Sequence, residues 1–206
     1  NCTSDDGRDL FAKSATGPIG GIIIRNCVSF GNGTLSNGVH YANGDMNGFK
    51  LGGSGVGTPH VVLNCLSFNN GATGFTDNNN PSGLTIMNAT AWGNGKSAKK
   101  GNFLCYRASN KAVYVGLVSA NAIDSDKFTG NMSDSIYYNT GKYYRLSGLL
   151  PTPVVSGDKK GTVVDNPSKV SGMFKNAVDF INLNGNVDKQ LRNSDGTINM
   201  KGLYET

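Results

Sequence analysis

The sequence predicts an all-β chain: a right-handed parallel β-helix, or solenoid, closed by an irregular C-terminal cap. A repeat is the first sign. Asn1-Cys2-Thr3-Ser4, Asn26-Cys27-Val28-Ser29-Phe30, Asn64-Cys65-Leu66-Ser67-Phe68 and Asn88-Ala89-Thr90-Ala91-Trp92 share one pattern at spacings of 25, 38 and 24 residues. Short apolar or β-branched runs precede three of them, at Ile22–Ile24, Val61–Leu63 and Leu84–Met87. Composition is the third sign: 29 of 206 residues are Gly and only 16% are charged, too few for the Glu-, Lys- and Arg-rich surface of a helical bundle.

A strand, an Asn or Gly turn and a second strand, repeated at this period, make one coil, which cannot bury its own apolar face and must stack on the next. Equivalent positions then form ladders one strand spacing apart. Asn1, Asn26, Asn64 and Asn88 are expected to form an asparagine ladder at a turn. Cys2, Cys27 and Cys65 should stack beside it as small core residues, with a bridge between stacked neighbours left open. A fainter copy, Val113–Ser119, adds a further coil. A second ladder follows from the Gly-centred segments Gly7-Arg8-Asp9-Leu10, Gly48-Phe49-Lys50-Leu51, Gly74-Phe75-Thr76-Asp77 and Gly101-Asn102-Phe103-Leu104. It aligns Asp9, Lys50 and Thr76. The long insertion from Thr34 to Met46, just ahead of Lys50, is placed as a substrate wall would be. Beyond Asp124 the repeat fades. Tyr137-Tyr138, Tyr143-Tyr144, Leu149-Leu150-Pro151 and Gly172 to Leu183 read as a cap of irregular strands and a short helix or two, its tyrosines used for packing. One domain is expected, with coils carrying the functional residues over 1–123 and the last coil and cap over 124–206.

The formal net charge of +5 favours an anionic partner. Nucleic acid is not expected, since there is no RNP-like aromatic signature, zinc spacing or basic amphipathic helix. Nor is a membrane partner, because no stretch approaches the roughly 20 apolar residues of a span. The chain reads as soluble. Charge alone does not single out an acidic polysaccharide from a plainly solvated basic surface.

The chemistry-bearing residues are Asp5, Asp6 and Asp9, packed into Ser4-Asp5-Asp6-Gly7-Arg8-Asp9, and Lys50 in Asn47-Gly48-Phe49-Lys50-Leu51-Gly52-Gly53. Carboxylates this crowded repel one another unless a hard cation takes up their charge, and calcium, with six to eight oxygen ligands, suits them. A lysine held near such a cation loses its proton more easily and can act as a base.

These two motifs and the repeat resemble the family-nine polysaccharide lyases, the pectate lyase type of parallel β-helix enzyme. Leu191–Thr197 looks, more loosely, like that family's C-terminal region. The resemblance implies a secreted enzyme that cleaves polygalacturonate or a related uronate polymer by β-elimination. Asp5, Asp6 and Asp9 would be calcium ligands and Lys50 the Brønsted base at C5; loss of the C4 glycosidic oxygen would leave an unsaturated sugar end. The family has a further calcium aspartate one coil upstream of Asn1, which implies that an N-terminal segment of the same domain is missing here. Arg8 stands where that family often has a bulky aromatic. Among the basic residues Arg8, Lys13, Lys99, Lys100 and Arg107, the arginines Arg8 and Arg107 are expected to bind substrate, because a guanidinium grips a carboxylate with two hydrogen bonds.

Two alternatives stand beside this reading. Asp5 and Asp6 would serve an inverting glycoside hydrolase as an acid and base pair, although the Gly-His-Gly and Arg-Ile-Lys segments of β-helix polygalacturonases are absent. A catalytically silent β-helix adhesin or tail-spike module would use the aspartates for a structural calcium. His40 and His60 are expected in loop or surface roles.

Overall fold

The structure, a computed structural model, describes residues 6–14, 16–17, 19–35, 39, 43–167, 194, 195 and 197. The first coil holds β1 (Arg8–Asp9), β2 (Ile23–Arg25) and β3 (Val28–Phe30), and the second β4 (Phe49–Lys50), β5 (Val61–Leu63) and β6 (Leu66–Phe68). The third has β7 (Phe75–Thr76), β8 (Thr85–Met87) and β9 (Thr90–Trp92), and the fourth β10 (Phe103–Cys105), β11 (Val113–Val115) and β12 (Val118–Ala120). A fifth, past the point where the sequence repeat fades, has β13 (Lys127–Phe128), β14 (Asn131–Ser133) and β15 (Ile136–Asn139). The chain then turns back through β16 (Lys142–Arg145) and β17 (Thr162–Val164).

Each coil contributes one strand to each of three parallel sheets. Sheet 1 is β1-β4-β7-β10-β13, sheet 2 is β2-β5-β8-β11-β14, and sheet 3 runs from β3 through β6, β9 and β12 to β15, where β16 and β17 add antiparallel. This is a right-handed β-helix, the hand that parallel crossover connections take. The antiparallel pair covers the edge that β15 would otherwise leave open. Tyr137, Tyr143 and Tyr144 are buried there, with Tyr137 stacked on Tyr144 at 5.5 Å between centroids.

The turn from sheet 2 to sheet 3 needs one residue in the left-handed region, and it falls on Asn26 (φ 53°), Asn64 (51°), Asn88 (51°), Gly116 (62°) and Asp134 (47°). These are the residue types that tolerate this conformation, which explains the repeating Asn. The expected ladder is present where Asn88 Nδ2 donates to Asn64 Oδ1 at 3.2 Å. Asn1 and Cys2 lie outside the described residues. Cys27, Cys65 and Cys105 are free thiols, so the bridge left open between stacked cysteines is not formed; the Sγ of Cys27 and of Cys65 instead donates to backbone carbonyls.

The interior is built from columns one coil apart. In sheet 2 Ile24, Val62, Ile86, Tyr114 and Met132 share one register and are all buried. In sheet 1 Phe49, Phe75 and Phe103 are aligned, their rings stacked at 4.7 and 5.2 Å. A second asparagine ladder, buried behind sheet 3, was not read from the sequence. Asn32, Asn70 and Asn94 each donate backbone N–H and Nδ2 to the next amide oxygen, on Asn70, Asn94 and Asn102 in turn. The serines behind it reach sheet 1: Ser29 Oγ donates to Gly48 O and Ser67 Oγ to Gly74 O, at 2.9 and 3.0 Å. This ladder therefore fixes the corner from which β4 and β7 leave. The stretch from Gly172 to Leu183, read as a short helix or two, lies outside the described residues, as does most of Leu191–Thr197.

Candidate active site

Parallel pairing of β1 with β4 sets Asp9 opposite Lys50, and pairing of β4 with β7 sets Lys50 opposite Thr76, as the alignment of Gly-centred segments requires. Successive side chains on a strand face opposite sides. Phe49 faces the core, so Lys50 faces outward, yet its side chain is only 8% exposed because carboxylates surround it. Lys50 Nζ lies 3.2 Å from Asp6 Oδ2, 3.2 Å from Asp9 Oδ2 and 2.5 Å from Asp45 Oδ2. The Phe11 ring centre is 5.6 Å away.

The three carboxylates differ in environment. Asp6 is 1% exposed at its side chain, with Oδ1 accepting from Asn47 N (2.7 Å) and Asn47 Nδ2 (2.9 Å). Asp9 and Asp45 are 41% and 56% exposed, so the cluster opens to solvent on their side. Asp45 was missed in the sequence. It ends the insertion ahead of β4, five residues before Lys50, and its position in a loop outside the repeat gave no ladder to align it. Asp5 lies outside the described residues.

Three carboxylates share one ammonium, so the cluster is net negative. Burial pushes the Asp6 carboxyl up; the Asn47 hydrogen bonds and Lys50 oppose that without cancelling it. Burial pulls Lys50 down, but its hydrogen bonds to Asp45 and Asp6, the Asp6 charge and the Asp9 hydrogen bond prevail and hold it above the ordinary lysine range. Among the described residues no group of three or more His, Cys, Asp or Glu is spaced to hold a metal ion. As donors, though, the carboxylates of Asp6, Asp9 and Asp45 are hard oxygens of the kind calcium takes, and they fit that ion chemically.

The two arginines fall in different places. Arg8 is exposed and pairs in register with Phe49, one position off the column of Asp9 and Lys50. Arg107 follows β10; it is exposed, its Cζ lies 4.6 Å from the Tyr106 ring centre, and its backbone N–H donates to Asp77 Oδ2. Lys13, Lys99 and Lys100 are exposed. His60 lies in the loop just ahead of β5, one of the two roles expected of it, but not at the surface. It is 3% exposed, Nδ1 accepts from Ile22 N at 3.1 Å, and burial pulls it below the usual histidine range, because it braces the first coil against the second. His40 lies outside the described residues. No helix among the described residues is long and apolar enough to cross a membrane.

Comparison with known proteins follows the same outline. The family model described as "Pel9A-like, right handed beta helix region" matches residues 1–121. Over 147 residues the chain is 40% identical to pectate lyase L of Paenibacillus polymyxa (strain SC2), covering 70% of this chain and 31% of that protein. Over 92 residues it is 52% identical to pectate lyase L of Thermoclostridium stercorarium, covering 45% of this chain and 7% of that protein. The crystal structure of pectate lyase Pel9A aligns with a TM-score of 0.48 at 24% identity, over 95% of this chain and 39% of that one. The chain thus spans less than a third of the length of either relative.

Proposed function

The chain belongs to the Pel9A-like right-handed β-helix family, and from that membership and the site geometry we propose that it cleaves pectate, or a related uronate polymer, by β-elimination. The observation that carries this reading is a single lysine, in register with Asp9, gathered by three carboxylates on the solvent-facing side of sheet 1. Lys50 is the base that takes the C5 proton of the uronate. As the proton leaves, negative charge spreads onto the sugar carboxylate; the bond from C4 to the glycosidic oxygen then breaks without addition of water, a C4–C5 double bond forms, and the departing oxygen takes up a proton. Asp5, Asp6 and Asp9, with Asp45 as a further donor, would hold calcium, which when bound would supply the positive charge that stabilises this build-up.

The rest of the work falls to the chain. Asp6, pinned by Asn47, fixes where Lys50 Nζ sits. Lys50 acts as a base only when the carboxylate charge that holds its proton is taken up elsewhere. Arg8 and Arg107 bind carboxylates of neighbouring sugars; Arg107 has the stronger support, since Arg8 is in register with Phe49 rather than Lys50. Acting on a polymer, the protein works outside the cell. A hydrolase acid and base pair has weaker support, because Asp6 is buried and one of its oxygens is committed to Asn47.

Polygalacturonate is mixed with the chain and calcium, and absorbance of the unsaturated product is followed in the ultraviolet. A rise that chelator abolishes and that Lys50→Ala lacks is the expected result. New reducing ends without absorbance would replace the lyase reading with a hydrolase one, and a rate that survives Lys50→Ala would remove Lys50 from the role of base.

A further inference from the structure

The column that holds Asp9 and Lys50 continues through Thr76 and Leu104 to Lys127 on β13. Strands in a sheet lie about 4.8 Å apart, so Lys127 sits three spacings, roughly 14 Å, from Lys50 on the same face of sheet 1. That distance is bridged by an oligosaccharide and not by one sugar ring. Beside Lys127 the chain after β10 presents Tyr106 and Arg107. Arg107 Cζ lies 4.6 Å and Lys127 Nζ 5.7 Å from the centre of the Tyr106 ring. Thr129 Oγ1 donates to the Tyr106 backbone carbonyl at 2.9 Å and ties the chain at Tyr106 to the fifth coil.

Two cations gathered on one ring repel each other, and neither forms an ion pair among the described residues. The nearby carboxylates are committed to backbone N–H groups, although the Arg107 charge does act on buried Asp77. Asp77 is fully buried and takes the backbone N–H groups of Arg107 and Ala108; Asp126 is buried and takes those of Phe103 and Tyr138. The π-face positions the cations without neutralising them. Neither cation has a carboxylate in direct contact among the described residues, and one carried by an extended ligand along sheet 1 would supply it.

We propose that Tyr106, Arg107 and Lys127 form a second carboxylate-binding subsite, which engages a polyuronate some sugar residues away from Lys50. This rests on the uronate reading of the Lys50 site and extends it to substrate length: short oligomers reach only one end. The test is electrophoresis through gels containing polygalacturonate, with chelator present so that binding is read apart from cleavage. The chain is expected to be retarded by polygalacturonate and not by the fully methyl-esterified polymer. Arg107→Ala and Lys127→Ala should each weaken the dissociation constant about tenfold, the loss of one charge-assisted contact, while Lys111→Ala, which removes the same charge elsewhere, leaves it unchanged. Lys127→Glu should abolish retardation. The subsite is overturned if wild type is not retarded, if Arg107→Ala and Lys127→Ala migrate as wild type, or if Lys111→Ala weakens binding equally. Retardation in the chelator gel together with no ultraviolet product in the calcium assay would sink the lyase reading and leave the subsite standing.

Discussion

Replacing Asn70 by alanine tests whether the buried ladder holds the site in place. Asn70 is 1% exposed. Its Oδ1 accepts from Asn32 N (3.1 Å) and Asn32 Nδ2 (2.6 Å), and its Nδ2 donates to Ser67 Oγ (2.9 Å) and Asn94 Oδ1 (2.8 Å). In Asn70→Ala the Asn32 backbone N–H loses its acceptor, while Asn32 Nδ2 keeps Ser29 Oγ and Asn94 Oδ1 keeps the Asn70 backbone N–H. One stranded buried donor costs about 1–3 kcal/mol, and the weakened partners and the small void bring the total to about 3–5 kcal/mol. Asn69→Ala is the control: its φ of 53° is costly for alanine, by about 1–2 kcal/mol, but its side chain is no rung of the ladder. Urea denaturation followed through the single tryptophan, Trp92, measures both. The larger loss should come with a lower elimination rate, because Ser67 and Ser29 anchor the carbonyls of Gly74 and Gly48 just ahead of β7 and β4. Equal costs for the two variants would refute the ladder as the support of the site.

Two other outcomes are expected. Asp45→Asn removes the shortest carboxylate contact of Lys50, so the lysine releases its proton more readily and the alkaline rise of the rate moves to lower pH by about one unit; a profile that does not move would place Asp45 outside the base's environment. Burial pushes the Asp126 carboxyl up to about 6, against hydrogen bonds from Ser119, Tyr138 and Phe103, from an ordinary value of 3.8. The folded chain then binds this proton more tightly than the unfolded chain, so its contribution is full below about pH 4 and is lost as pH rises through about 6, roughly 3 kcal/mol for about two pKa units. Urea midpoints from pH 4 to 7 should show this fall, and Asp126→Asn should flatten it.

What the sequence disclosed depended on backbone conformation. The turn of Asn26, Asn64 and Asn88 was legible because a left-handed position restricts residue choice, and the column of Asp9, Lys50 and Thr76 because glycine brackets it at constant spacing. The inner ladder was hidden in plain Gly-Asn-Gly and Asn-Asn-Gly turns, where nothing local says which amide points inward. Its last rung, Asn102, comes eight residues after Asn94 rather than one coil later, so no period reveals it. Asp45 belongs to an insertion, and Lys127 lies where the repeat has already faded. Both reach their places through the fold alone.

Asp6 shows how a structural rung can also serve the proposed site. In the inner ladder each amide oxygen accepts the backbone N–H and the Nδ2 of a neighbouring asparagine. Asp6 Oδ1 does the same for Asn47, and Asn47 Oδ1 in turn accepts from Thr73 N. Asp6 therefore occupies a ladder position, with the difference that a second oxygen, in place of an NH2, faces Lys50 at 3.2 Å. The two roles separate by substitution. Asp6→Asn keeps the acceptor for Asn47 and turns a donor toward the ammonium, so stability should change by no more than about 1–2 kcal/mol while activity and calcium response are lost. Asp6→Ala strands the Asn47 N–H as well and should cost a further 1–3 kcal/mol or about that. Denaturation midpoints and elimination rates of the two variants decide the matter: if Asp6→Asn is as unstable as Asp6→Ala, the carboxylate holds the fold by its charge, and if it retains wild-type activity, the charge that sets up Lys50 comes from Asp9 and Asp45 alone.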